Sequence, residues 1–143
     1  RHKMNGSETY TMAYWGVLIA LVILLVQWVI ASGQKAKQPG AVPGKIDDSL
    51  SHSSFVFRAH RTLMNSLENY PLMLGTVFLA FFIGVSAFWT GIFIWIFAIA
   101  RLIHMVLYYA IATEKNPSPR SYFFMIGLAA NVALLILCGV TLV

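Results

Sequence analysis

The chain has 143 residues, of which 59% are hydrophobic and 10% charged, with a mean hydropathy of +0.74. A soluble domain carries about 25% charge and 45–50% apolar residues, so this composition excludes a disordered chain, a disulfide-stapled scaffold and a water-soluble enzyme. Only a bilayer accepts that much apolar surface, which makes this an integral membrane protein.

The formal net charge is +5, with a pI near 9.6. The basic residues stand between hydrophobic spans, with no basic stripe interleaved with aromatics. They read as topological signals, and a nucleic-acid role is not expected. Arg1, His2 and Lys3, ahead of Met4, read as an appended segment. Residues 12–31 form the first span, with Gln27 its one strongly polar member. A cleavable signal peptide, with an apolar region of about 7–15 residues, fits it poorly. Gly, Pro, Lys, Asp and Ser then crowd residues 32–54, a long loop for so short a chain. From Asn69 to Ala100 there are 32 residues without a charge, too long for one span, and the stretch 84–91 is the natural place to turn. Residues 114–120 break the chain again, and the stretch from Tyr122 onward is uncharged, with Asn131 its one amide.

The expected architecture is therefore all-α, a four-transmembrane-helix bundle in a single domain spanning 1–143. Its helices fall at about 11–33, 55–85, 90–113 and 121–143, with a loop at 34–54. Lys35, Lys37, Lys45, Arg58, Arg61, Lys115 and Arg120 cluster around the two longer loops. The positive-inside rule then turns those loops to the cytosol and both termini away from it. Cys138 sits in an apolar run and reads as a buried structural thiol.

Two segments carry polar residues where a membrane makes them costly, at about 2.5–3.5 kcal/mol or more each. On the second helix Arg58, Arg61, Asn65 and Glu68 are spaced 3, 4 and 3 apart, which places them within roughly 80° of one face, followed by Pro71, a kink site. On the third, Arg101, His104 and Tyr108 share a face in the same way, and Arg120 and Ser121 stand at the mouth of the fourth. Each has a plainer reading. Arg58 and Arg61 suit snorkelling anchors, Glu68 with Arg101 a structural ion pair, His104 a satisfied interior histidine, and Tyr108 and Tyr109 an interfacial belt. Asn131 suits a hydrogen bond to another helix. Taken together, the two stripes outline one polar pocket whose ligand carries both signs of charge, as a zwitterionic peptide such as glutathione does. A metal is not expected, because His104 has no second His or Cys at ligand spacing, and His52 and His60 are poorly placed to ligate haem.

Arg61, Asn65, Glu68 and Pro71 match the Arg-x-x-x-Asn-x-x-Glu-x-x-Pro motif of the membrane-associated proteins in eicosanoid and glutathione metabolism. Arg101, His104 and Tyr108 match that family's Arg-x-x-His/Tyr-x-x-x-Tyr motif, and Arg120 resembles the arginine that follows. The resemblance covers essentially the whole chain and is strongest to the microsomal glutathione transferases. It implies a homotrimer with glutathione bound at subunit interfaces near the cytosol. Arg61, Asn65, Glu68, His104 and Tyr108, with Arg58 and Ser121 beside them, would hold glutathione, and Arg120 would stabilise its thiolate. The sequence departs from the pattern at four points. An Arg-Ala-His at 58–60 lies three residues upstream of the register that fits Asn65. Leu63 stands where members often have Gln or His. About three extra residues separate Tyr108 from Arg120, and the basic residue after the first span is either Lys35 or Lys37.

The function expected is conjugation of glutathione to lipophilic electrophiles, with reduction of lipid hydroperoxides as a companion activity. The membrane would be a bacterial inner membrane or the endoplasmic reticulum, with the site toward the cytosol. The alternative is a non-catalytic scaffold that binds fatty acid or other lipid. A proton or ion path through Glu68, Arg101 and His104 is disfavoured, because the first and fourth helices carry no polar stripe.

Overall fold

The computed structural model describes residues 10–143, and the reading of Arg1, His2 and Lys3 lies outside the described residues. Four helices follow one another: α1 (Thr11–Ala36), α2 (Phe55–Ile83), α3 (Ala87–Ala110) and α4 (Pro119–Leu142). Each is long and apolar enough to cross a membrane. Large apolar side chains cover the outside, among them Trp15, Leu25, Trp28, Phe82, Ile136 and Val140. A water-soluble bundle would hide these residues, whereas a bilayer solvates them.

The α2–α3 connection is tighter than the stretch 84–91 suggests. Gly84 ends α2 in a left-handed conformation (φ +77°) that a side chain would strain, and its N–H and that of Val85 both donate to the Ala80 carbonyl. The Ser86 hydroxyl then accepts from the Trp89 N–H at 3.3 Å, so α3 starts at Ala87, three residues before the expected position, and Phe88–Thr90 form its first turn. At its other end, α3 stops at Ala110. Helix α4 opens with Pro119 in the first turn, where a missing N–H costs nothing. Ahead of it the Ser118 N–H donates to the Ser121 hydroxyl at 3.1 Å.

Small residues govern how the helices approach. Ala13, Gly16, Ala20 and Ala31 form the buried stripe of α1, and Gly16 abuts Ile94 and Trp95 of α3. Trp95 also donates its indole N–H to the Met12 carbonyl at 2.8 Å, so α1 and α3 begin at the same end of the bundle. The loops at 37–54 and 111–118 therefore meet at the opposite end. A Cβ on Gly16 would come within 2.8 Å of Cγ2 of Ile94, which is itself fully buried and has no room to yield. Gly16→Ala is expected to lower stability by about 1–3 kcal/mol, read as a fall in Tm of the detergent-solubilised protein.

Helices α2 and α3 pack between α1 and α4, which scarcely meet. The core at the α2–α3 turn end centres on Tyr70, Met73, Val77, Ile94, Phe97 and Leu134. Three of its polar side chains, Tyr70, Thr76 and Asn131, are paired across helices, whereas buried Thr90 Oγ1 and the Gln27 amide have no hydrogen-bond partner. Tyr70 donates to the Ala20 carbonyl at 2.7 Å, and the Asn131 amide donates to the Thr76 hydroxyl at 3.0 Å, the interhelical bond expected of that residue. Cys138 is buried, as expected of a structural thiol. Helix α2 runs unbroken past Pro71.

Candidate functional site

The loop at 111–118 and the ends of three helices line a cavity of about 450 Å³, within the ~300–1,000 Å³ common for small-ligand sites. Helix α2 contributes Arg61 and Asn65, α3 contributes His104 and Tyr108, and α4 contributes Arg120 and Ser121. The spacing of 4 on α2 and on α3 turns each pair to one side of its helix, and the shared loop end brings them to the level of Arg120 and Ser121. Asn116, Pro117, Phe124 and Met125 complete the wall.

Tyr108 is the centre of this arrangement. The Arg120 guanidinium lies over its ring, 3.8 Å from the centroid, and the His104 ring meets its edge at 5.7 Å. Its hydroxyl is 2.8 Å from Nε2 of His52, a loop residue, and Nδ1 of that ring is 2.7 Å from the Glu114 carboxylate. The backbone N–H of His52 donates to the same carboxylate oxygen at 2.9 Å. Neither His52 nor Glu114 belongs to the helix motifs. A histidine in one loop and a carboxylate 62 residues away give no periodic signal, and only the meeting of the loops makes them a pair.

Arg61 and Arg120 have no ion partner among the described residues, and Asn65 Oδ1 is buried without a hydrogen-bond partner. Two uncommitted cations beside an orphaned acceptor fit a ligand that bears carboxylates and N–H donors.

Three expected residues have other surroundings. Arg58 donates to the carbonyls of His52 and Ser53 at 2.8 and 3.2 Å and to that of Tyr109 at 3.1 Å, so it pins the first loop to the end of α3 and lies outside the cavity. Glu68 is exposed and also lies outside the cavity. At 1.5 Å per residue it sits about 10 Å further along α2 than Arg61, away from the loops. The possible Glu68–Arg101 ion pair does not form. Arg101 turns inward, is 1% exposed, and donates to the Ser66 hydroxyl at 2.9 Å. Ser66 is two positions before Glu68 and so faces nearly the opposite way. Ser121 has a second duty, because its hydroxyl caps α4 through the Ser118 N–H.

Lys35 lines a different and larger cavity of about 670 Å³, bounded by Trp28 of α1, the loop at 41–44, and Leu63, Met64 and Leu67 of α2. Lys37 lines neither of these two cavities.

No curated protein and no solved structure matches the chain. The family model for MAPEG does match, over residues 12–140, a stretch that takes in nearly all of the four helices and every residue of the cavity. On that match and on its four membrane-length apolar helices, this multi-pass membrane protein belongs to the MAPEG family.

Proposed function

We propose that the protein is a membrane glutathione transferase that binds glutathione in the Arg61–Tyr108–Arg120 cavity and presents its sulfur to electrophiles dissolved in the bilayer. The observation that carries this reading is the convergence of Arg61, Asn65, His104, Tyr108, Arg120 and Ser121 on one cavity at the loop end of an apolar bundle. Arg61 meets a ligand carboxylate, the orphaned Asn65 Oδ1 accepts from a ligand N–H, and Arg120 offers its charge to the sulfur. An ordinary thiol titrates near pH 8.5 and is mostly protonated at neutral pH. A guanidinium beside it favours the anion, and each unit of depression reflects about 1.4 kcal/mol. The thiolate then attacks the electrophilic carbon, so the chain needs no nucleophile of its own. The same thiolate supports reduction of lipid hydroperoxides.

Glu68 points outward from one subunit, where a neighbouring copy in a homotrimer would meet it beside the cavity. Glu68→Ala is expected to weaken glutathione binding by about 1–3 kcal/mol, roughly five- to 150-fold in Kd, with Tm little changed because Arg101 does not depend on it. Calorimetry with glutathione beside a thermal melt checks both halves.

One feature favours a second reading, a lipid-binding scaffold. The larger cavity is walled by Trp28, Leu63, Met64 and Leu67 around the single cation Lys35, a combination suited to a fatty acid. The deciding experiment is conjugation of glutathione to an aromatic electrophile such as a chlorodinitrobenzene by the purified protein, wild type beside Arg120→Ala. Turnover that falls in the variant supports the transferase. No turnover together with no glutathione binding supports the scaffold.

A further inference from the structure

Tyr108, His52 and Glu114 form a continuous hydrogen-bonded chain from the cavity to solvent. Tyr108 is 5% exposed, the His52 side chain 19% and the Glu114 side chain 68%. A carboxylate accepts, so the geometry matches a neutral His52 ring that carries its hydrogen on Nδ1 and accepts from the Tyr108 hydroxyl at Nε2. Tyr108 is at the same time one of the residues that line the cavity. Both parts of the chain are held in place: Glu114 receives the backbone N–H of His52 as well as its ring, and Arg58 binds the His52 carbonyl. The ring of His52 also stacks on that of Tyr108, with 19° between their planes.

We propose that His52 and Glu114 are positioning residues that make Tyr108 the proton acceptor of the cavity and carry the proton of a bound thiol out to solvent. This rests on the glutathione reading above. In the step, the S–H bond of the thiol breaks and an O–H bond forms on Tyr108, while the original Tyr108 O–H bond breaks and an N–H bond forms at Nε2 of His52. The products are a thiolate and an imidazolium. The carboxylate of Glu114 balances the imidazolium, and the proton passes to water at the exposed end, after which the hydroxyl and ring hydrogens reset. Nothing is oxidised or reduced.

Between an ordinary thiol and an ordinary imidazole this transfer is unfavourable by about two pKa units, or a hundredfold. The charges of Arg120 and Glu114 flank the path. Arg120, seated over the Tyr108 ring, favours the thiolate, and Glu114 lies 2.7 Å from Nδ1 of His52 at the solvent end. Arg58 binds the His52 carbonyl, Arg120 lies over the Tyr108 ring, Lys115 follows Glu114 directly in the loop, and His104 is packed on Tyr108.

The test uses the full-length protein in detergent. Glutathione binding is measured by calorimetry, thiolate formation by its ultraviolet absorbance after rapid mixing, and the His52 tautomer by imidazole nitrogen NMR. Wild type is expected to show the Nδ1–H tautomer. Glu114→Gln and His52→Ala should slow thiolate formation about a hundredfold while the glutathione Kd stays within about threefold. Added imidazole should restore the rate of His52→Ala, an effect that a purely structural role for His52 would not produce. Glu114→Gln, at a largely exposed loop position, keeps the test open if His52→Ala misfolds. Unchanged thiolate rates in Glu114→Gln, or an Nε2–H tautomer in wild type, would overturn the relay while leaving the transferase reading intact. No glutathione binding by wild type would overturn the underlying reading itself.

Discussion

Arg120→Ala is expected to lower kcat/KM for glutathione conjugation by about a hundred- to a thousandfold, or roughly 2.7–4 kcal/mol, the usual effect of removing one donor aimed at a developing anion. The glutathione Kd should change by less than about tenfold, because Arg61 and Asn65 remain to hold the ligand's polar groups. The separation of the two effects follows from where charge resides. A neutral thiol gains little from a guanidinium, whereas a thiolate gains a full ionic contact in a partly dry cavity. Arg120→Lys sharpens the test. The ammonium retains the charge but loses the flat contact with the Tyr108 ring, now 3.8 Å from the guanidinium carbon, so activity should fall between wild type and Ala. A pH–rate profile checks the cause: in Arg120→Ala the rise with pH should move alkaline, toward the ordinary thiol range. Full activity in the Ala variant would remove Arg120 from the mechanism.

Arg101→Met is expected to raise stability, by about 1–4 kcal/mol, even though it deletes a hydrogen bond. The side chain is 1% exposed, its Nε and Nη1 have no partner, and no carboxylate meets it among the described residues. Desolvating a cation costs several kcal/mol, and a single hydroxyl contact to Ser66 at 2.9 Å recovers only part of that. Methionine fills a similar volume without the charge. Ser66→Ala should act in the opposite direction, costing about 1–3 kcal/mol by removing the one group that answers the guanidinium. Paired melts of the two variants in detergent decide the matter. A lower Tm for Arg101→Met would mean that this arginine has a counter-ion in the assembled protein, and Glu68 of another copy would be the first to examine.

How far the sequence reaches depends on whether the signal is local. Spans without charge, glycines at the turn and prolines near the helix ends are local, and they announce four helices. The 4-residue spacing of Arg61 and Asn65, and of His104 and Tyr108, is local too, so the sequence alone places one polar stripe on each helix. Arg58 and Glu68 share the same spacing, yet one pins a loop and the other faces outward. Periodicity gives direction around a helix axis and says nothing about how far along that axis the cavity extends. Nor can it tell whether a cation will be used by the ligand or by the chain's own carbonyls.

The sequence by itself determined that this is a four-span membrane protein and which faces of its second and third helices are polar, because bilayer thickness and the helical repeat act on neighbouring residues alone. Tertiary structure alone decided that Arg101 meets Ser66 and not Glu68, that Lys35 belongs to a separate apolar cavity, and that His52 and Glu114 join Tyr108. Each of these depends on where two distant segments come to rest, and that is set by the close approach of α1 and α3 at Gly16 and by the meeting of two loops at one end of the bundle.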